Sequence, residues 1–539
     1  MSEMPNRRTV LGAGIALAGT TALASRVHAA PLPPPAAPRG AAAGDDTYVA
    51  PDGPEVVARE AERGAGPLRE VSLTAIATRL ELGNGVTVPT WAYGDRLPGE
   101  AVRVTAGDTL ELTLANHLPQ STSMHWHGLS LRNDMDGVPG LTQRPIEPGA
   151  EFTYRFAVTH PGTYWLHPHT GVQLDRGLYA PLIVDDPKEP LAYDQEWVVV
   201  LDDWLDGVDG STPDAVLDEL THGAGSSHDA SGDAPAAVPA NSGGSGKGTK
   251  DAKGAKSAPS RLLDASDSEL LGGHAGDVDY PHYLVNGRTA AAPQVFEARP
   301  GDRIRLRVIN AGGETAFRLA LGGHRMTVTH SDGFPVRHTE TDALLLGMGE
   351  RYDVLVTAGD GVFPLTALAE GKGASAPAVL RTGSGALPPA TVRPKELDGQ
   401  VLTADRLTAD ASVALTAREP DRTIPMTLTG SMAAYDWAFD RKPYDPAARV
   451  PVKAGERVRL TFTNRTPMWH PVHLHGHTFA LAGKDGEVEA GARKDTAVVL
   501  PGRSLAVDFD ADNPGLWMLH CHNVYHAEAG MMTVLGYLR

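Results

Sequence analysis

The sequence PGLWMLHCH occupies residues 514–522 and aligns without gaps with PGTYWLHPH at residues 161–169. Successive side chains of an extended strand point to opposite faces, so His520 and His522 share one face and Cys521 takes the other. One short strand therefore presents two imidazoles on one side and a thiol on the other. The earlier stretch keeps the histidine face, with Pro168 in place of the cysteine.

A second repeat extends this relationship to three regions of the chain. A Gly-acidic turn followed by alternating apolar positions and a final Asn occurs as AGDTLELTLAN (106–116), PGDRIRLRVIN (300–310) and AGERVRLTFTN (454–464). The repetition predicts three copies of one β-sandwich. The first and third copies also share HWHG (125–128) and HLHG (473–476), whereas GVFPLTALA (361–369) in the second copy has neither histidine nor cysteine. We therefore expect the second copy to act as a spacer or to shape a substrate surface.

Composition is typical of a soluble, turn-rich, mostly β protein: 59 Gly and 42 Pro in 539 residues, with 41% hydrophobic residues. The net charge of −18 argues against nucleic acid or an anionic membrane as a partner. The single cysteine allows no internal disulfide. A metal would protect such a lone thiol in an oxidising compartment.

The N-terminus resembles an export signal of the twin-arginine type, because Arg7-Arg8 precede a mild apolar stretch and Val27-His28-Ala29 form a plausible cleavage site. The apolar stretch is too short to span a bilayer, and no cysteine follows it to carry a lipid. We expect an exported, extracytoplasmic protein without a stable membrane anchor. The predicted segments are a signal peptide (1–29), a Pro/Ala-rich tether (30–65), domain 1 (66–188), domain 2 with a flexible Gly/Ser/Lys-rich insertion at about 221–261 (189–390) and domain 3 (391–539).

Histidine pairs point to metal chemistry. The chain has five His-X-His pairs, where composition predicts about one. Two histidines, one cysteine and a weak axial methionine define a blue-copper site, and His470, Cys521, His526 and Met531 supply that set. Zinc is the competing metal, although structural zinc usually has more than one thiolate ligand. Met532 is the alternative axial residue.

Eight further histidines match a cluster of three coppers between the first and third domains, since one copper cannot use so many imidazoles. They are His125, His127, His167, His169, His473, His475, His520 and His522. His477 extends the run HLHGH but has no counterpart in HWHG, so we expect it to be structural or to support a metal ligand without binding the metal itself.

HWHG, HPH, HPVHLHG and HCHNVYHAEAGM resemble the four signature motifs of three-domain multicopper oxidases, the laccase and copper-resistance oxidase family. GTYWLHPHTGVQLDRGLYAPLIV and MGERYDVLV are also similar to bacterial members, especially exported actinobacterial ones. The resemblance implies an all-β chain of three cupredoxin-like Greek-key sandwiches. It also implies four coppers: type 1 held by His470, Cys521, His526 and axial Met531; type 2 by His125 and His473; and a type 3 pair by His127, His167 and His522 on one ion and His169, His475 and His520 on the other.

The same resemblance implies four one-electron oxidations at the type 1 site feeding reduction of one dioxygen to two waters. Cys521 connects to the cluster through His520 and His522, with substrate access at His526. Asp136 occupies the position of an acidic residue that relatives use near the cluster, where it can donate protons, or it is only a turn residue in DMDGVPG. Relatives often place a second acid directly after the last type 1 histidine. Here that residue is Ala527, with Glu528 one position further on.

Three functions follow from these residues. A cuprous oxidase serving copper tolerance agrees best with the exported relatives, although the chain has no methionine-rich insert. A laccase acting on phenols or aromatic amines is the alternative. A non-catalytic copper carrier is the third, and it needs no trinuclear ligands. Three sandwiches in one chain can form the interdomain cluster within a monomer.

Overall fold

The computed structural model describes residues 47–223, 258–263, 266–482 and 490–539. The predicted signal peptide, the first part of the predicted tether (30–46) and the central part of the predicted insertion lie outside these residues. No helix in the described ranges is long and apolar enough to cross a bilayer.

The first sandwich packs the sheet β2-β1-β4-β6 against the sheet β3-β8-β7-β5. Its strands are β1 Leu68–Gly83, β2 Val86–Tyr93, β3 Val102–Thr105, β4 Thr109–His117, β5 His125–His127, β6 Glu151–Ala157, β7 Gly162–His167 and β8 Ala180–Asp185.

The second sandwich contains a seven-stranded sheet, β13-β12-β9-β15-β20-β17-β18, and a six-stranded sheet, β14-β22-β21-β16-β19-β23; β10 and β11 pair separately. The predicted boundary after residue 390 falls before β23, which pairs in parallel with β19 of this sandwich. Its strands are β9 Gln195–Trp204, β10 Asp267–Ser268, β11 Gly273–His274, β12 His282–Val285, β13 Arg288–Thr289, β14 Val295–Glu297, β15 Arg303–Asn310, β16 Phe317–Leu321, β17 Met326–Ser331, β18 Phe334–Thr341, β19 Ala343–Leu346, β20 Arg351–Thr357, β21 Val362–Ala369, β22 Ala374–Arg381 and β23 Val401–Leu402.

The third sandwich packs β25-β24-β27-β32-β29-β30 against β26-β34-β33-β28-β31. Its strands are β24 Arg422–Thr429, β25 Ala438–Phe439, β26 Val450–Lys453, β27 Arg457–Asn464, β28 His470–Leu474, β29 Phe479–Leu481, β30 Arg493–Lys494, β31 Thr496–Val499, β32 Ser504–Asp510, β33 Leu516–Cys521 and β34 Met532–Leu538. The all-β fold with three cupredoxin-like sandwiches is confirmed.

The described helices are few and short: α1 Pro54–Arg63, α2 Pro213–His222 and α3 Val524–Glu528, with 3-10 turns at Asn133–Met135, Gln173–Arg176, Lys395–Asp398 and Ala404–Arg406. Helix α1 lies within the predicted tether of residues 30–65 and corrects that prediction. It has Pro at its first position, which suits a helix start, and buries Val56 against the body of the protein. The tether interpretation was wrong for this part because the Pro- and Gly-rich flanks mark helix ends here.

The three repeated motifs form equivalent strands, β4, β15 and β27. Each pairs in parallel with the strand that opens its sandwich and antiparallel with a later strand. The final Asn of each motif is buried and donates from Nδ2 to two backbone carbonyls while its Oδ1 accepts a backbone N–H two residues on: Asn116, Asn310 and Asn464. The repeat therefore preserves an Asn side chain that stabilises the following loop, as well as a strand.

We predict that Asn464→Ala destabilises the third sandwich. Its Nδ2 donates to the Met468 and Val499 carbonyls at 2.6 and 3.0 Å. Removing the amide leaves these buried groups unpaired and should lower the free energy of unfolding by about 2–4 kcal/mol. Chemical denaturation followed by near-UV circular dichroism measures this loss. Thr461→Ala, on the same strand, is the matched control. An equal effect of both substitutions on the free energy of unfolding would contradict this role of the Asn464 side chain.

Candidate metal centre

Two equivalent strand pairs position the histidines. In the first sandwich β5 pairs antiparallel with β7, which places His125 opposite His167. In the third sandwich β28 pairs antiparallel with β33, which places His473 opposite His520. Directly opposed residues in such ladders have side chains within about 5.5 Å of each other. The pairing therefore gathers His-X-His elements that are distant in sequence.

The thiol face of β33 forms one compact donor set. Cys521 Sγ lies 3.6 Å from His470 Nδ1 and 3.8 Å from His526 Nδ1, and the two nitrogens are 3.2 Å apart. A point equidistant from the three atoms is about 2 Å from each, close to ordinary metal–nitrogen and metal–sulfur bond lengths. All three residues are fully buried. The set fits one metal ion.

Polar partners outside this set orient both imidazoles. His470 Nε2 donates to Thr466 Oγ1 at 2.8 Å, and His526 Nε2 donates to Asp277 Oδ2 at 3.0 Å. Each ring therefore keeps its Nδ1 lone pair directed toward Cys521. Burial raises the pKa of the Cys521 thiol, so forming the thiolate here requires a compensating cation.

Met531 is fully buried, and its backbone joins the two sides of this site: its N–H donates to the His526 carbonyl, and its carbonyl accepts from the Cys521 N–H, each at 3.0 Å. Met532 opens β34, pairs with His520 and is half-buried. These positions favour Met531 over Met532 as the axial residue, and its ligand role stays a prediction.

The opposite face of β33 contributes His520, with His522 just beyond the strand, to the eight-histidine cluster. The predicted type 3 ligands form two groups, and within each group the donor atoms lie within 4.8 Å of one another. One group contains His522 and the other contains His520. In the second set, His520 Nε2 lies 3.1 Å from His475 Nε2 and 3.3 Å from His169 Nε2. His125, His127 and His473 form a third group.

Hydrogen bonds fix the tautomer of most cluster histidines. A carbonyl or carboxylate oxygen only accepts, so the ring nitrogen facing it carries the hydrogen and the other nitrogen keeps its lone pair. His127 donates from Nε2 to Asp495, whereas five others donate from Nδ1 to oxygens: His125, His167, His473, His475 and His520. The Nε2 atoms of His125, His167 and His473 are buried without a partner. Unpartnered lone pairs converging in a buried site fit metal ligation.

Burial also keeps these imidazoles neutral. It lowers the pKa of seven cluster histidines below the ordinary value: His127, His167, His169, His473, His475, His520 and His522. Neutral imidazole is the form that binds metal ions. The cluster is therefore ready to bind metal near pH 7 without first losing protons.

Two buried carboxylates bracket the cluster. Asp136 Oδ2 accepts from His475 Nδ1 at 2.9 Å, and its Oδ1 lies 3.1 Å from His125 Nδ1. Asp495 Oδ1 accepts from His127 Nε2 at 3.0 Å, and the Asp495 carbonyl accepts from His473 Nδ1. Asp136 was predicted from the sequence, whereas Asp495 was missed.

Arg351 of the second sandwich holds Asp495 with two parallel hydrogen bonds of 2.7 Å. Burial alone would raise the pKa of the Asp495 carboxyl, but the Arg351 guanidinium holds that pKa well below its ordinary value. Gly349, at φ +83°, packs against two cluster histidines. A Cβ at this position would be 2.9 Å from His127 Cε1 and 3.0 Å from His522 Cδ2.

The second sandwich is therefore more than a spacer. It supplies Asp277 to the thiol site and Arg351 to the cluster, although it contributes no residue to either donor set. His477 lies outside the donor sets found in the described residues, and its Nε2 is 2.6 Å from the Tyr537 hydroxyl.

A small cavity of about 30 Å³ borders the cluster beside His169, His520 and His522. Glu528 also lines this cavity. The space is sufficient for one water-sized molecule next to the imidazoles.

Comparison with known proteins places this geometry in a family. Family models described as "Multicopper oxidase" match residues 76–189, 245–384 and 417–537. Multicopper oxidase MmcO of Mycobacterium tuberculosis is 48% identical over 481 residues, covering 89% of this chain and 89% of that protein. A copper resistance protein A homolog of Pseudomonas syringae pv. tomato is 30% identical, covering 86% of this chain and 91% of its own length. The crystal structure of laccase from Botrytis aclada has a TM-score of 0.68 at 23% identity, covering 92% of this chain and 93% of that one.

We predict that Arg351→Lys weakens metal binding at the group formed by His125, His127 and His473. Lysine keeps the charge but cannot make the paired bonds that hold Asp495. Metal analysis and electron paramagnetic resonance of metal-loaded protein should show a loss of at least about half of the occupancy there, since partners of metal ligands typically contribute 10–100-fold in affinity.

The Cys521 site is the internal control for this variant, because Arg351 is not hydrogen-bonded to its ligands. Its visible absorption should remain. Full occupancy at both sites in the variant would show that Arg351 does not position the histidines through Asp495.

Proposed function

Since the chain belongs to the multicopper oxidase family, we propose that it couples four one-electron oxidations of a reductant to the reduction of one dioxygen to two waters. Copper bound at the thiol site and in the histidine cluster supplies this redox chemistry. We propose cuprous ion as the principal reductant, in a role in copper tolerance, with phenol oxidation as a secondary activity.

The sharing of one strand by both donor sets carries the oxidase proposal. Cys521 lies between two cluster histidines, and its carbonyl accepts from His520 Nδ1 at 2.8 Å. The His522 N–H donates to the Pro471 carbonyl at 2.6 Å, directly beside His470. These covalent and hydrogen-bonded connections give electrons a short route from the thiol side to the cluster. A copper carrier has no use for such a connection.

We propose Asp136 as a proton donor or an orienting group at the cluster. It caps a 3-10 turn, as the turn interpretation expects, but its carboxylate also contacts His125 and His475. This contact supports a role beyond the turn. Glu528, which lines the small cavity, is our candidate for the second proton donor. It lies one position beyond Ala527, where relatives are expected to carry an acid.

The covering of His526 supports a small reductant. The His526 ring is fully buried, with Trp437 packed over it at a centroid distance of 4.4 Å, and the Tyr435 hydroxyl donates to Asp277 at 3.2 Å. A phenol ring cannot contact His526 directly without moving these aromatic side chains. The buried Asp277 carboxylate favours a cation as the electron donor, and the relative named for copper resistance agrees with this choice.

A direct comparison of substrates tests the proposal. Copper-loaded protein is assayed for dioxygen consumption with cuprous ion and with a bulky dimethoxyphenol on the same preparation. We expect cuprous ion to give the higher kcat/KM. Negligible cuprous turnover beside rapid phenol turnover would instead identify a laccase, and no dioxygen consumption with either reductant despite full copper loading would identify a carrier.

We predict that Cys521→Ser removes the intense blue absorption and lowers dioxygen consumption by at least about a thousandfold while the fold survives, because serine cannot replace the thiolate. Absorption, circular dichroism and oxygen-electrode measurements check the three statements. Met531→Leu should shift the blue band, whereas Met532→Leu is the matched control and should leave it unchanged. Rapid turnover in the serine variant would refute the electron route.

We also predict that Trp437→Ala changes substrate preference. Removing the indole uncovers His526, so kcat/KM for the dimethoxyphenol should rise by about tenfold, equivalent to ~1.4 kcal/mol in the barrier. Cuprous turnover should change much less. Trp197→Ala, at a stacked pair on the second sandwich away from both donor sets, is the control. An unchanged ratio of the two substrates in Trp437→Ala would show that the covering does not select the reductant.

A further inference from the structure

A cavity of about 360 Å³ lies where α1 and all three sandwiches meet. It is separate from both donor sets, and none of the predicted copper ligands lines it. Three arginines line it instead, Arg59 and Arg63 from α1 and Arg493 from β30. The concentration of guanidinium groups in one partly enclosed space needs an explanation, because buried cations in proteins are normally paired.

Arg493 is the least satisfied of the three. Its guanidinium donates to the Val413 carbonyl and to Thr478, and it lies 5.3 Å from the centre of the Phe334 ring. Within the described ranges it has no carboxylate within 4 Å, and its buried Nε has no hydrogen-bond partner. Burial lowers the pKa of Arg493, and the nearby Asp510 and Asp512 carboxylates oppose this shift without reversing it.

The acids at this cavity are already paired with arginines. Asp510 accepts two hydrogen bonds from Arg457, and Asp512 is 3.3 Å from Arg59. Arg63 is held by Glu60 and by the Asn513 side chain. Arg59 also pairs with Glu62 at 3.0 Å, yet its buried Nε has no partner, and neither has the Nε of Arg493. Two arginines of one cavity therefore retain unused donors.

We propose that this cavity binds a small, multiply charged oxyanion such as phosphate, with Arg493 and Arg59 as its main ligands. The planar donors of a guanidinium match the oxygens of phosphate, and charge-assisted bonds of this type are stronger than neutral ones. The volume holds an anion of this size with several waters and is too small for a folded partner.

The bound anion links elements that are distant in sequence. Arg59 belongs to the N-terminal helix and Arg493 to the third sandwich, while Phe334 comes from the second. Binding therefore stabilises the docking of α1 and the junction of the sandwiches. It leaves the Cys521 site unchanged, because no residue of that site reaches the cavity.

Calorimetric titration of inorganic phosphate into the copper-loaded protein tests the proposal, in a buffer kept at constant ionic strength with chloride. We expect saturable binding to one site with a Kd of about 0.1–1 mM. The thermal midpoint should rise as phosphate replaces chloride, since the ligand binds only the folded protein. The blue absorption should not shift.

Arg493→Met should weaken phosphate binding by at least about tenfold, as each charge-assisted pair is lost. Arg503→Met, at an exposed arginine of the same sandwich, is the matched control and should bind like wild type. If Arg493→Met does not fold, Arg59→Met, whose side chain is one-third exposed, provides the same test. Absence of saturable binding by wild type, or wild-type affinity in the folded arginine variants, would overturn the site.

Discussion

The alternation of side chains along β33 is the constraint on which the rest of the structure depends. Cys521 and its two histidine neighbours can serve different donor sets only because the backbone sends them to opposite faces. Pairing with β28 fixes the register, placing Val472 opposite Cys521 and His473 opposite His520. A shift by one residue would exchange the thiol and imidazole faces and dismantle both sets at once. The register of the β28–β33 ladder is therefore as necessary for the two donor sets as the donor residues themselves.

Burial is the second determinant, and it acts differently on the two sets. It lowers the pKa of the cluster imidazoles, which leaves them neutral and able to bind metal, but it raises the pKa of the Cys521 thiol. The histidines are therefore organised before metal arrives, with their outer nitrogens already held by oxygens. The cysteine completes its site only when a cation compensates the thiolate. The carboxylates of Asp136 and Asp495 therefore help to orient the cluster histidines, as partners of metal ligands do in other proteins.

Local patterns in the amino-acid sequence encode the parts of the molecule that could be predicted from it. The repeated motifs became β4, β15 and β27, and the His-X-His stretches became paired strands, because two-residue periodicity is visible in the chain itself. The contacts of Asp277 with His526 and of Arg351 with Asp495 join residues 249 and 144 positions apart. No periodicity encodes such pairs. Arg351 was present in the quoted MGERYDVLV, and Asp495 directly precedes β31, yet only the folded arrangement gives either a role. Helix α1 was missed because its ten residues follow a Pro-rich stretch that suggests extended chain.

The second sandwich shows why a copy without metal ligands can be indispensable. Arg351 and Asp495 are both fully buried, so losing the arginine would strand a charged carboxylate beside two cluster histidines. Breaking such a buried pair typically costs about 3–5 kcal/mol, far more than a surface ion pair contributes. Asp277 has the same relation to His526 on the thiol side. A chain with only the first and third sandwiches would keep every predicted ligand but lose the groups that orient and cover them. The central sandwich is therefore a functional part of both sites, acting through the residues that hold the ligands.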